Sequence, residues 1–356
     1  MKIVSFLTEP ASYTIDLISK VHNPLEIDYR FLQKKTTART DSFLSSSMFM
    51  SDYNWLKRFS ILKDDYKYYD VIIFNGYDRL DFIFLLFVHF FSANKKNIGL
   101  ESDTQLRVPS NFFKRIIKKI YLNFIFKDSY FHGLAGGNNT HRDLFSFYGM
   151  KEKNIHFLPM VIDVEKRKFE VERQRNPIFT FLFVGRFIPL KQIEYIIKSF
   201  LIEFKDNSQV QLKLIGDGIM FDYLSFKYSE NNIIFKGALF DKDLLNEYED
   251  SHVLVLASNK EQWGLVINEA LASGLAVLSN NKVGANFDLV EGKNTGLIFN
   301  SEKEFDLSEK MRLIYDDKIY FKSCCANAYK LMHQYWNFNL YSEKLMEAVK
   351  KMTSND

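Results

Sequence analysis

Cysteine is almost missing from this chain of 356 residues: the two present, Cys324 and Cys325, are adjacent and cannot staple a large fold, so they read as reduced thiols of a cytosolic protein. The apolar run 80–91 is too short to cross a bilayer, which takes roughly 20 residues. The first ten residues, from Met1 to Pro10, lack a cleavable signal pattern and read as a strand entering a loop. A net charge of +3 is too small to imply a nucleic-acid partner. No G-x-G-x-x-G dinucleotide fingerprint occurs, although Gly133 to Thr140 is glycine-rich and reads as a tight strand-to-helix turn. The seven histidines have no paired spacing and read as core or surface residues rather than ligands. Glu101-Ser102-Asp103 is one acid-x-acid triplet without further ligands, a poor case for a divalent ion, so neither a metal nor a resident cofactor is expected.

What is present is an ordinary globular composition, 47% hydrophobic and 26% charged, in a chain longer than one core usually holds. Two domains follow. In the first half, short apolar runs at 2–7, 27–31, 71–74, 97–100 and 155–158 alternate with helical patterns, which predicts βα units and a parallel sheet. The loops after these strands contain Tyr13, Asn75, Tyr77, Glu101 and Asp103. Each can bind a hydroxylated ligand, and each can equally be a turn or cap residue. Periodicity is lost in a charged stretch at 166–176, which reads as a linker.

The stretch with most chemistry begins after the apolar run 252–257: Ala257-Ser-Asn-Lys-Glu-Gln-Trp-Gly-Leu-Val-Ile-Asn-Glu-Ala-Leu-Ala-Ser-Gly274. The run reads as a buried strand, Gly264 supplies a loop position without a Cβ, and from Leu265 the pattern turns helical. Glu261 then lies in the loop and Glu269 inside the helix, eight positions on. Free N–H groups around Gly264, Leu265 and Val266 attract a phosphate, while carboxylates beside them accept hydrogen bonds from hydroxyls. Together they suggest a ligand with both phosphate and sugar. Earlier, strand 179–184 runs into Gly185-Arg186 and, five residues later, Lys191, cations suited to a diphosphate.

Glu261 to Gly274 resembles the E-x7-E signature of retaining glycosyltransferase family 4, and Gly185-Arg186 with Lys191 resembles that family's phosphate motif. Strands 210–215, 233–237, 276–278 and 295–299 fall in the family's order. The resemblance covers 179–299 well and the first half loosely. It implies an α/β GT-B fold: an acceptor-binding Rossmann-like domain over 1–165, the linker 166–176, a nucleotide-sugar-binding domain over 177–334, and a C-terminal helix, 335–356, crossing back to the first domain, with a cleft between the domains.

The implied activity transfers a sugar, with retention and without metal, from a nucleotide-diphosphate sugar, UDP-sugar favoured, to a glycan or lipid-linked acceptor in bacterial surface polysaccharide synthesis. Glu261, Arg186 and Lys191 are its implied catalytic residues; Gly185, Gly237, Leu239, Gly264, Leu265, Val266 and Glu269 hold the donor. Tyr13, Asn75, Tyr77, Glu101 and Asp103 would line the acceptor side. The first loop departs from the family in lacking its glycine pair, and its N-terminal histidine has no counterpart here. Alternatives are a sugar-nucleotide-binding protein without activity, or another GT-B enzyme such as an epimerase or phosphorylase.

One further segment points to a partner. Over 111–127, Phe112, Phe113, Ile116, Ile117, Ile120, Tyr121 and Phe124 share a helical face opposite Lys114, Arg115, Lys118 and Lys119. Such a helix can touch an anionic membrane, the inner face of the cell membrane for a cytoplasmic enzyme, or pack its apolar face on the sheet and leave its lysines solvated, and the two can both hold in part, since the basic face needs only a small tilt toward lipid phosphates.

Overall fold

A computed structural model describes residues 1–21, 25–34, 48–167 and 177–354. The chain divides into two compact units, one comprising Met1–Val161 with the segment from Phe338 on, the other Ile162–Asn337. Residues 162–165 and 335–337 thus go with the second unit. Most of the stretch read as a linker, 168–176, lies outside the described residues.

In the first unit the elements run β1 (Lys2–Leu7), α1 (Ser12–Lys20), β2 (Glu26–Phe31), β3 (Met48–Phe49), α2 (Trp55–Tyr68), β4 (Val71–Asn75), α3 (Leu80–Phe91), β5 (Asn97–Ser102), α4 (Phe112–Phe126), β6 (Phe131–Ala135), α5 (Arg142–Phe147) and β7 (Ile155–Phe157). The strands form one parallel sheet in the order β3-β2-β1-β4-β5-β6-β7. Its central strands are apolar on both faces because both are covered. Val4, Phe6, Ile72, Phe74, Ile98 and Leu100 pack under α2 to α5. Ile3, Val71, Ile73 and Leu134 face α13 (Phe338–Thr353), through Leu345, Ala348, Val349 and Met352.

Gly133 is a strand residue and not part of a turn. Gly133 lies inside β6, where a Cβ would come within 2.7 Å of the Phe145 ring, so its bareness admits α5 against the sheet. Glycine marks close approach there rather than a bend.

The second unit runs β8 (Phe179–Val184), α6 (Ile193–Phe204), β9 (Val210–Ile215), α7 (Phe221–Lys227), β10 (Ile233–Lys236), α8 (Asp241–Glu249), β11 (Val253–Leu256), α9 (Leu265–Ala272), β12 (Ala276–Asn280), α10 (Asn286–Leu289), β13 (Gly296–Phe299), α11 (Asp306–Asp316) and α12 (Lys318–Lys330). Its parallel sheet has the order β10-β9-β8-β11-β12-β13. In each sheet the order reverses beside the first strand, at β1/β4 and at β8/β11. In open α/β sheets the loops beyond the carboxyl ends of such a pair diverge and leave a crevice for ligands.

Candidate functional site

In the second unit the β8/β11 reversal brings together the residues singled out in the two most distant motifs. β8 ends at Val184 and leads into Gly185 and Arg186, and a short helical turn, Pro189–Lys191, follows. β11 ends at Leu256 and leads to Ser258 and Glu261. The Lys191 ammonium donates to Glu261 Oε2, which also accepts from Ser258 Oγ at 3.2 Å. Lys191 and Glu261 are both largely sheltered, so their pairing is screened less than a surface pair would be. Arg186 is exposed and has no carboxylate partner among the described residues.

Two glycines make this packing possible. Gly216, after β9, has φ +136°, and a Cβ there would fall 1.9 Å from the Gly185 carbonyl oxygen. Gly264 caps α9 with φ +99°, a conformation that glycine tolerates best, and a Cβ would sit 3.1 Å from Glu261 Cγ. The amides of Leu265 and Val266 thus start the helix beside Glu261, and both residues are partly exposed. Trp263 Nε1 donates to Asn268 Oδ1 at 2.8 Å and its ring stacks on Trp336, which anchors the turn from behind.

Glu269 lies further along α9, and the sequence reading missed what surrounds it. Tyr248 donates its hydroxyl to Glu269 Oε2 at 2.6 Å, and Arg167 approaches Oε1 at 3.6 Å while lying over the Tyr248 ring and donating to Ser273 Oγ. Burial and the Glu269 charge push the Tyr248 phenol well above its usual range. Arg167 falls in the charged stretch 166–176, where nothing in the local pattern separates it from its neighbours. Gly237 is exposed and Leu239 partly so, both in the loop after β10, on the side of the sheet where β9 lies between them and β8.

In the first unit the β1/β4 reversal holds a pocket of about 270 Å³ lined by Thr8, Glu9, Tyr13, Asn75, Glu101, Asp103 and Tyr341, among others. Thr8 Oγ1 donates to Asn75 Oδ1 at 2.8 Å, and the Asn75 side chain bonds in turn with Glu101. Burial pushes the Glu101 carboxyl up to about 7, the Asn75 bond opposes this, and Asp103 adds to it. Tyr77 does not line this pocket. Its ring packs edge-on against Phe126, and its carbonyl accepts from Tyr121 at 2.6 Å. Tyr341, on α13, also lines the pocket, its phenol raised by burial and by Glu101. No nearby residue type in the sequence signals this, since the contact joins the last helix to strand ends far earlier in the chain, at Thr8, Asn75 and Glu101.

Residues 164–331 match the family described as glycosyl transferases group 1. This stretch is a group 1 glycosyl transferase domain. Within the curated proteins, the chain is similar to the GDP-mannose-dependent alpha-mannosyltransferase of Mycobacterium tuberculosis (strain CDC 1551 / Oshkosh), 33% identical over 116 residues, 33% of this chain and 29% of that protein. It is also similar to the capsular polysaccharide biosynthesis glycosyltransferase CapM of Staphylococcus aureus, 24% identical over 221 residues, 60% of this chain and 57% of that one. An uncharacterized 41.2 kDa protein in the cps region of Klebsiella pneumoniae is 30% identical over 37% of this chain and 35% of its own length. The chain thus spans from under a third to somewhat over half of the length of these relatives.

Among solved structures, Anabaena HepE in complex with UDP and glucose superposes with a TM-score of 0.73 at 15% identity, over 98% of this chain and 99% of that one. WaaG, a glycosyltransferase involved in lipopolysaccharide biosynthesis, gives 0.68 at 13% identity over 99% and 100%. At such identities the likeness speaks for the fold alone. The fold is GT-B, with two Rossmann-like parallel-sheet domains.

Proposed function

We propose that the chain is a retaining glycosyltransferase that moves a sugar from a nucleotide-diphosphate sugar, UDP-sugar in the first instance, to a glycan or lipid-linked acceptor in surface polysaccharide assembly, at the inner face of the cell membrane. The observation that carries this reading is the juxtaposition at the β8/β11 reversal of two cations, Arg186 and Lys191, with Glu261 and the start of α9. A group 1 domain match over this region supports it, as do the capsular relative and the UDP complex of the structural neighbour.

In this reading Arg186 and Lys191 face the diphosphate and the amides of Leu265 and Val266 complete its site, so positive charge is supplied by the chain and no divalent ion is needed. Glu261 accepts hydrogen bonds from sugar hydroxyls, with Lys191 fixing its orientation. Glu269, held by Tyr248 and Arg167, takes the ribose hydroxyls, and Gly237 with Leu239 borders the base. The bond from the anomeric carbon to the β-phosphate oxygen breaks, its electron pair leaving with the phosphate. A new bond forms on the same face from the acceptor oxygen, whose proton passes to the departing phosphate oxygen. The pocket containing Tyr13, Asn75, Glu101 and Asp103 receives the acceptor.

The test is a thermal-shift panel of UDP, GDP, ADP, CMP and their common sugar conjugates on the wild type and on Arg186→Ala, since a ligand bound only by the folded state raises its melting temperature. Stabilisation by one nucleoside diphosphate, reduced in Arg186→Ala and unchanged by chelator, is the expected result. Stabilisation by GDP instead of UDP would replace the donor. No shift with any nucleotide would overturn the transferase reading.

A further inference from the structure

Helix α4 carries its apolar face outward. Phe112, Phe113, Ile117 and Ile120 are each more than 60% exposed, with Ile116 and Phe124 beside them on the surface. The residues that pack inward are Leu122, Ile125 and Phe126, on the opposite side of the helix. Of the two arrangements open from sequence, packing of the Phe112 face on the sheet is therefore excluded. Tyr121 alone of that face turns in, donating to the Tyr77 carbonyl. The exposed side chains occupy an arc of about 140° at 100° per residue. At the same spacing Lys119 lies about 20° beyond one edge of that arc and Lys114 about 60° beyond the other.

The surface continues onto α3. Phe90 of α3 lies against Phe124 with ring centroids 4.6 Å apart, and Leu80, Ile83, Phe87 and Phe91 form an exposed stripe along that helix. Isolated exposed apolar residues are ordinary, but two adjacent helices with large ones along their outer faces form a patch that calls for an occupant.

Charge decides which occupant. Between Thr104 and Lys127 there is no acidic residue, while Arg107, Lys114, Arg115, Lys118, Lys119 and Lys127 give six cations. None of these is paired with a carboxylate among the described residues. Lys118 is turned inward to the Arg107 carbonyl and the Arg115 guanidinium donates to the Pro109 and Ser110 carbonyls, so the cations left to face outward are Lys114, Lys119 and Lys127. A second copy meeting this face would set these cations against their own kind. An anionic bilayer offers phosphates to the rim and acyl chains to the aromatic centre.

We propose that the outer face of α3 and α4 docks on an anionic lipid surface, its Phe and Ile side chains entering the acyl boundary and Lys114 and Lys119 taking lipid phosphates at either edge. α4 follows directly from the loop after β5, so its first turn, with Phe112 and Phe113, lies at the same sheet edge as Asn75, Glu101 and Asp103. Docking by that turn holds the pocket at the bilayer surface, where a lipid-linked acceptor presents its sugar. The docking stands on the surface itself; only the role of the pocket rests on the transferase reading.

The test is co-sedimentation of the full chain with phosphatidylcholine vesicles, with and without phosphatidylglycerol. Two variants are compared, Phe113→Ser/Ile117→Ser/Ile120→Ser and Lys114→Gln/Lys119→Gln, and gel filtration and the nucleotide thermal shift are read on each. The wild type is expected to bind only the phosphatidylglycerol vesicles. The lysine variant should lose roughly ten- to thirtyfold in partitioning, as expected for about two surface cations, and the apolar variant more than tenfold. Both should keep the wild-type melting temperature and nucleotide shift, because the changed side chains are exposed and lie in the first unit. Failure of the wild type to bind anionic vesicles, or unchanged binding by the apolar variant, would overturn docking. A dimer that becomes monomeric in the apolar variant would assign the patch to self-association instead. A lost nucleotide response in the wild type would count against the transferase reading and leave the docking result standing.

Discussion

The chemistry of Glu101 departs from what its place in the sequence suggests. As a bare Glu after a strand it reads as a loop acid, but the fold encloses it between Asn75 and Asp103, and its carboxyl titrates near 7 rather than near the ordinary 4.5. The folded state therefore keeps a proton that the unfolded chain releases, so the stabilisation is complete below about 4.5 and gone above about 7. Stacked His132 and His156 work the other way: burial pushes both down to about 4, so the fold is favoured above the usual imidazole range and loses stability as pH falls from there toward 4. Because the two effects oppose each other over the same window, wild-type stability alone separates neither. Replacing Glu101 with Gln, which keeps the shape and removes the charge, should stabilise the protein by on the order of 1–3 kcal/mol at pH 8 and change little at pH 4.5. Thermal melts of both proteins across pH 4.5 to 8, over roughly the window that the shift spans, check this; parallel curves would show that Glu101 is not held protonated.

Elements were easier to read than single residues where periodicity governed them. The βα alternation marked β1, β4, β8 and β9 because a strand covered on both faces must be apolar throughout, and the order of loops followed. Strand β6 was not legible, since Gly133 resembles a turn residue until Phe145 is seen lying over it. The outward turn of α4 was equally hidden: an amphipathic wheel shows that two faces differ, not which one meets the sheet. Arg167 and Tyr341 reach their sites through contacts that no local pattern encodes. The start of α9 gives an element-scale prediction. Gly264→Ala places a Cβ on a backbone at φ +99° and against Glu261 Cγ, which costs about 1–2 kcal/mol in conformation and displaces the carboxylate. Sugar transfer should fall on the order of tenfold or more from such misplacement, with the melting temperature lowered by only a few degrees. Product formation equal to wild type would mean that the geometry at this turn does not matter to the reaction.

The molecule as a whole is discontinuous in sequence: the chain leaves the first unit at Val161, builds the second, and returns at Phe338 to finish the first. The returning helix is not an appendage. Leu345, Ala348, Val349 and Met352 of α13 are nearly fully buried against Ile3, Val71, Ile73, Leu134 and Leu158, and among the described residues α13 alone supplies that cluster's helical side. At about 1.5–3 kcal/mol for each fully buried large side chain, losing Leu345, Val349 and Met352 removes on the order of 5–9 kcal/mol, comparable with the whole stability of a typical domain. A chain ending at Asn337 should therefore lose the first unit, while the second, whose strands and core lie entirely within Ile162–Asn337, keeps its sheet. Limited proteolysis should degrade the region before residue 162 and spare a fragment covering the second unit. That fragment should still be stabilised by the nucleotide that stabilises the full chain. A first unit that stays protease-resistant without α13 would show that its sheet closes without the helix, and the buried residues of α13 would then add little to its stability.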